Sequence, residues 1–98
     1  MNPRQLHPGA RRDLREAARY YHEESGASLA RSFMAAFERT VALLNQHPEI
    51  GTVDLYGKRQ FKVRRFPYFV IYAVDDGEIR ILAVAHQSRH PGFWRDRE

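Results

Sequence analysis

The sequence predicts an α+β domain in which an N-terminal antiparallel helical hairpin packs on a small antiparallel β-sheet. Two observations carry that prediction. Between Pro8 and His47, apolar residues recur at three- and four-residue spacing in two blocks separated by Ser25-Gly26, the signature of two amphipathic helices. From Lys58 to His86, residue types alternate and an Asp76-Gly77 pair divides two β-rich runs, which is the pair that a two-residue type I′ hairpin requires because both central positions need φ > 0. At 98 residues the chain has the length of one domain with a single modest core, expected to span 1–98.

The elements follow in order. Arg4 to His7, bracketed by Pro3 and Pro8, is expected to be a short strand at a sheet edge. Pro8 suits the first turn of a helix, and Ala10, Leu14, Ala17, Ala18 and Tyr21 follow on one stripe, so the first helix should run from about Pro8 to Glu24 with Gly26 as its stop. Ala30, Phe33, Met34, Phe37, Val41 and Leu44 form the stripe of a second helix, which must end before Pro48. Glu49 to Gly57 reads as a loop crossing to the sheet. Beyond His86 the chain is polar and turn-rich, and Phe93 and Trp94 should fold back onto the body, because an exposed tryptophan ring leaves a large apolar area in water.

The Asp-Gly turn predicts a register. Val74 should oppose Ile79, Tyr72 oppose Ile81, Val70 oppose Ala83 and Tyr68 oppose Ala85, giving one apolar face for the helices to cover. Phe69 beside Val84 and Ile71 beside Leu82, with Ala73 beside Arg80 and His86 at the end of the row, then share the opposite face. A tight connection at Phe66-Pro67 would add Val63 opposite Val70 and Phe61 opposite Tyr72, with Arg64 opposite Phe69 and Lys62 opposite Ile71. A loop longer by two residues would keep the same faces.

Composition narrows the function. Sixteen Lys and Arg against twelve Asp and Glu give +4, and Lys58, Arg59, Lys62, Arg64 and Arg65 lie together with no acid among them. The expected partner is acidic: nucleic acid, an acidic peptide or an acidic protein surface. With no cysteine, disulfides, thiol catalysis and thiolate metal sites are excluded. No apolar run approaches the roughly 20 residues of a membrane span, and the first twelve residues lack the apolar core of a signal peptide, so the expectation is a soluble cytoplasmic protein with no membrane partner. His22-Glu23-Glu24 is not the two-histidine motif of a zinc hydrolase; neither a metal nor a cofactor is expected.

Three constellations remain. The basic run 58–65 either neutralises phosphates or protects a sheet edge from aggregation. The strip Phe69, Ile71, Leu82 and Val84, flanked by Lys62 and Arg64, suits an amphipathic acidic peptide, unless the Phe93-Trp94 segment covers it from within. His86 and His90 around Arg89 either form an acid–base pair for RNA cleavage or cap the strand end by bonding to backbone.

The chain resembles the RelE/ParE superfamily of type II toxins, and its ParE branch in particular. The resemblance rests on His7-Pro8-Gly9-Ala10-Arg11-Arg12-Asp13-Leu14, His47-Pro48, Arg64-Arg65-Phe66-Pro67-Tyr68, Val70-Ile71-Tyr72-Ala73-Val74 and Ile81-Leu82-Ala83-Val84-Ala85-His86, followed by Arg89 and Pro91. It implies the RelE/ParE toxin-like fold, a role in plasmid stabilisation of the toxin-antitoxin kind, and a cognate antitoxin whose acidic amphipathic segment wraps the toxin, here on Lys62, Arg64, Phe69, Ile71, Leu82 and Val84. RelE-like members cut messenger RNA in the ribosome and carry an arginine at the head of the central strand, in a pattern like Arg-Leu-Val-Tyr. In this chain Phe69-Val70-Ile71-Tyr72 stands there, and a phenylalanine cannot stabilise a phosphorane-like transition state. ParE-like members with an assigned target poison DNA gyrase without cleaving anything, so a non-enzymatic gyrase inhibitor is expected, with Lys58, Arg59, Arg65, Arg89 and Trp94 as target contacts. The alternative is a ribosome-dependent endoribonuclease in which Arg64, His86 and Arg89 replace the missing arginine.

Overall fold

The computed structural model describes residues 3–97; Met1, Asn2 and Glu98 of the expected 1–98 domain lie outside the described residues. Helices α1 (Pro8–Ser25) and α2 (Ala27–Gln46) precede strands β1 (Thr52–Val53), β2 (Arg59–Lys62), β3 (Tyr68–Asp75) and β4 (Glu78–His86). The strands form one antiparallel sheet in the order β1-β2-β3-β4. Among the described residues no helix is long and apolar enough to cross a membrane.

Local chemistry sets the helix ends. The His7 Nδ1 accepts the Gly9 N–H at 2.9 Å, and Pro8, which has no N–H to lose, occupies the first helical position. Gly26 alone joins the helices, at φ 90° and ψ 175°, a region that side chains other than hydrogen avoid. Its N–H reaches the His22 carbonyl at 2.9 Å, so one residue closes α1 and opens α2. At the far end, the His47 N–H bonds to the Leu43 carbonyl at 2.9 Å and Pro48 prevents continuation.

The N-terminal strand expected at Arg4 to His7 is instead a 3₁₀ turn, Pro3–Gln5, followed by one parallel bridge from Leu6 to Ile81. The edge pairing survives as a single contact, with the His7 N–H on the Ile81 carbonyl at 2.9 Å. Pro8 has no N–H with which to extend a ladder. The stretch from Glu49 to Gly57, expected to be loop throughout, contains β1, paired with Arg59 and Gln60.

Between helices and sheet lie Phe33, Phe37, Val41, Leu44, Val63, Val70, Tyr72 and Ile81, all buried. That is the face expected to be covered, with one correction. The β3–β4 register follows the expected pairs Val74 with Ile79, Ala73 with Arg80 and Tyr72 with Ile81, then shifts at Leu82, so that Ile71 meets Ala83, Val70 meets Val84, Phe69 meets Ala85 and Tyr68 meets His86. Because side chains alternate with period two, this β-bulge exchanges the faces of everything beyond it. Val84 therefore lies under the helices, and Ala83 and Ala85 turn to the opposite face beside Ile71, Leu82 and Trp94. The β2–β3 register is displaced by two residues from the tight-turn expectation, with Phe61 opposite Val70 and Lys62 opposite Phe69. The longer connection keeps Phe61, Lys62 and Val63 on their expected faces, but Arg64, expected opposite Phe69, falls in the β2–β3 loop and lies on the α2 side beside Leu29, Ala35 and Ala36.

β4 is an edge strand, and around the bulge two distant side chains meet backbone groups that have no neighbouring strand to pair with. The Asp13 Oδ2 accepts the Val84 N–H at 3.1 Å, and Arg97 Nη1 donates to the Leu82 carbonyl at 3.0 Å and to Asp13 Oδ2 at 2.6 Å. The Arg97 guanidinium runs over Gly9, where an added Cβ would sit 2.5 Å from its Nε. The C-terminal segment is thereby fastened to the start of α1.

Tyr72 performs a similar service for the loop after α2. Its hydroxyl donates to the Pro48 carbonyl at 2.8 Å and accepts the Gly51 N–H at 2.9 Å, while Arg59 Nη1 donates to the Glu49 and Gly51 carbonyls. Desolvation by burial pushes the Tyr72 phenol above its ordinary value of 10.0, against the smaller opposing effects of the Gly51 hydrogen bond and the Arg59 charge. Tyr21 and Tyr68 are raised by burial as well. Below about pH 10 both folded and unfolded chains keep these protons, so their contribution does not vary. Above it the unfolded chain releases them first, and stability must fall as pH rises toward the folded values. Urea midpoints measured from pH 8 to 11 should decline above pH 10, with a shallower decline in Tyr72→Phe.

Candidate functional site

Two concavities flank the basic segment, one on each side of the sheet. The first, about 450 Å³, opens on the face away from the helices, with Phe69 and Ile71 of β3, Gln60 of β2 and Ala85 of β4 on its floor. Its walls are the β1–β2 turn (Val53 to Tyr56) and the segment after β4, which brings Arg89, His90, Phe93 and Trp94. The second, about 610 Å³, lies along α2, where Leu29, Ser32, Ala35 and Ala36 face Arg39, Arg64, Arg65 and Phe66. Arg39, Arg64 and Arg65 have no carboxylate partner among the described residues.

The expected antitoxin strip is mostly internal. Leu82 and Val84 are 0% and 3% exposed, and Trp94, itself buried, lies with Phe93 against Ile71, Leu82, Ala83 and Ala85. Segment 93–94 covers the strip from within, and the bulge moves Val84 to the helix side. Ile71 borders the first cleft but is itself buried; of the rest of the set, Phe69 is half-buried, and Lys62 and Arg64 are exposed. Lys62 Nζ donates to the Phe66 carbonyl at 2.9 Å, closing the loop that carries Arg64 and Arg65.

The expected target contacts divide too. Trp94 is core rather than surface, and Arg59 holds the loop after α2. Arg65 opens on the α2 groove, whereas Arg89 lines the sheet cleft with its guanidinium 4.0 Å above the Phe93 ring. The Lys58 backbone N–H is bonded to Asp54 at the hairpin turn.

Of the three groups proposed for RNA cleavage, His86 and Arg89 share a cleft and Arg64 stands apart. Arg64 belongs to the α2 groove, whereas His86, Arg89 and His90 all line the sheet cleft. The bulge turns His86 toward Tyr68, with ring centroids 5.2 Å apart and near-perpendicular planes. Its Nδ1 lies 3.1 Å from the Ser88 N–H and 2.8 Å from the Ser88 hydroxyl. That is the strand-capping arrangement, in which the imidazole serves its own turn.

Residues 5–91 match the family model of the ParE toxin of type II toxin-antitoxin systems, parDE. The chain belongs to this family. Toxin ParE2 of Mycobacterium tuberculosis, in strains CDC 1551 / Oshkosh and ATCC 25618 / H37Rv, is 29% identical over 86 residues, which cover 88% of this chain and 82% of the relative. A chain from the chromosomal ParDE system of P. aeruginosa superposes with a TM-score of 0.73 at 23% identity, covering 83% of this chain and 90% of that one, and confirms the fold. As a ParE-family protein the chain is the toxin component of a type II toxin-antitoxin system.

The residues that sequence reasoning missed are Asp13 and Arg97, which hold the bulge, and Val53, Leu55 and Tyr56, which wall the cleft. The first pair is far apart in sequence and carries no local signal. The second group lies in a stretch read as loop, where apolar residues next to Asp54 and Gly57 could have marked an apolar hairpin tip.

Proposed function

We propose that this ParE-family toxin acts by binding DNA gyrase, without catalysing a reaction of its own, and that an antitoxin with an acidic amphipathic segment neutralises it. The observation that carries the binding reading is Phe69 standing on the floor of the sheet cleft where a ribosome-dependent nuclease places its arginine, with Arg64 on the α2 groove, apart from the cleft that His86 and Arg89 line. In-place cleavage of RNA needs a base at the 2′-hydroxyl and a cation at the phosphate within one constellation. For the antitoxin, accessible Lys62, Arg64 and Phe69 remain candidate contacts, and the arginine-rimmed α2 groove with its small apolar floor suits an amphipathic helix bearing carboxylates.

The test uses purified components. Added to gyrase, the chain is expected to abolish supercoiling or accumulate cleaved DNA, and added to translating ribosomes it should leave messenger RNA intact. His86→Ala should stay within a few-fold of the wild-type toxicity, because losing a peripheral contact costs about 1 kcal/mol. Removing a catalytic acid or base instead costs about 100- to 10,000-fold. Codon-dependent cuts in ribosome-bound messenger RNA that vanish in His86→Ala or Arg89→Ala would reverse the assignment to a nuclease.

A further inference from the structure

Leu55, at the tip of the β1–β2 hairpin, is 95% exposed, and its neighbours Val53 and Tyr56 are 55% and 40% exposed. An isolated surface leucine signifies little. Three properties set this one apart.

The first is continuity. Val53, Leu55 and Tyr56 form a wall of the same cleft whose other sides are Phe69, Ile71 and Phe93, so the tip extends an apolar surface instead of standing alone. The second is rigidity. Asp54 Oδ1 accepts the N–H groups of Tyr56 and Lys58 at 2.8 and 3.0 Å, the Asp54 N–H reaches the Lys58 carbonyl at 2.7 Å, and the Gly57 N–H reaches the Asp54 carbonyl at 3.2 Å. Below the tip, the Tyr56 ring rests on Gly92, whose φ is 77° and where a Cβ would lie 2.9 Å from the ring, and meets the Trp94 ring edge-on at 5.6 Å. Presenting an apolar side chain on a turn already ordered avoids much of the entropy cost of binding. The third is charge. The two chain segments beside the cleft, 53–60 and 85–95, carry Lys58, Arg59, Arg89 and Arg95 against one carboxylate, Asp54, which is itself committed to the turn.

We propose that Leu55, with Val53 and Tyr56, is a preformed knob that seats in an apolar socket on the folded, acid-rimmed surface of the toxin's target. The inference rests on the binding reading above and locates its contact. A protruding side chain requires the partner to supply the concavity, which a folded protein does. A short antitoxin-like peptide gains its area by lying in a groove or along a sheet edge. A second copy is disfavoured because a two-fold contact at this tip would bring Lys58, Arg59, Arg89 and Arg95 against their own counterparts.

The experiment compares wild type, Leu55→Asp and Leu55→Met in growth arrest on induction, inhibition of purified gyrase, co-purification with the protein encoded beside the toxin, and sedimentation. At 95% exposure the side chain contributes nothing to the core, so thermal melts of the three should coincide. The expected result is that Leu55→Asp loses about 30-fold or more in potency, the scale of a truncated binding anchor, while Leu55→Met keeps it and both bind antitoxin as wild type does. If wild type arrests growth without touching gyrase and Leu55→Asp does not arrest it, the knob stands and gyrase as target falls. If Leu55→Asp inhibits gyrase as strongly as wild type, the knob falls and gyrase stands. Loss of antitoxin binding, or of a wild-type dimer, in Leu55→Asp assigns the tip to those occupants and overturns the proposal, as does a wild type that neither arrests growth nor inhibits gyrase.

Discussion

Asp13→Ala is expected to lower folding stability by about 3–5 kcal/mol, the usual consequence of removing one member of a buried ion pair. The carboxylate serves three donors: Arg97 Nη1 at 2.6 Å, Arg97 Nη2 at 3.3 Å and the Val84 N–H at 3.1 Å. The two side chains are only 7% and 16% exposed, so the alanine variant leaves a largely desolvated guanidinium and a buried backbone N–H without an acceptor. Against a total stability of about 5–15 kcal/mol for a domain of this class, such a loss is large enough to unfold part of the population at 37 °C. Asp13→Asn keeps an oxygen for the Val84 N–H and should lose less. Urea titrations of the three proteins would decide it. A cost below about 1 kcal/mol for Asp13→Ala would place the pair with solvent-screened surface bridges, and the bulge would then need another support.

That pair also marks where the sequence ceased to be legible. The helices could be read because their stripes are long and their ends carry punctuation: Pro8 at the start, Gly26 between them, Pro48 beyond. The β3–β4 hairpin could be read outward from Asp76-Gly77 as far as Tyr72 and Ile81, since a two-residue turn dictates pairing until something interrupts it. The interruption at Leu82 leaves no local trace. Residues 81–85 are apolar on both parities, so a slip of one residue conflicts with no pattern, and the groups that stabilise it come from 71 positions upstream in Asp13 and 15 downstream in Arg97. Every misplaced side chain of the expected antitoxin strip follows from that event or from Trp94. The α2 groove combined small residues on a helix with arginines from a strand-to-strand loop, a juxtaposition only the tertiary fold makes. Leu55 was invisible for another reason: whether a loop leucine turns inward or outward depends on the Asp54 turn beneath it.

Trp94→Ala is expected to cost about 3–5 kcal/mol, the range for truncating a buried aromatic side chain to alanine. The ring is 3% exposed and covers Ile71, Leu82, Ala83 and Ala85 on the face that the helices leave open. Nothing else among the described residues forms that second cluster except Phe93 and Ala73 at its margin, so the cavity has few neighbours able to collapse into it. The edge-on contact with Tyr56 adds a separable part, and a double-mutant cycle with Tyr56→Ala should return a coupling of about 0.5–1.5 kcal/mol. Circular dichroism in urea gives the stability, since Trp94 is the chain's one tryptophan and its fluorescence disappears with the substitution. Antitoxin affinity of the folded Trp94→Ala protein then separates the two roles proposed for the strip. If the strip is internal core, uncovering it leaves that affinity within a few-fold of wild type. If the antitoxin displaced Trp94 to reach Ile71 and Leu82, removing the ring would spare it that work and binding would tighten markedly. A protein that bound its antitoxin tenfold more strongly while remaining folded would return Ile71 and Leu82 to the interface.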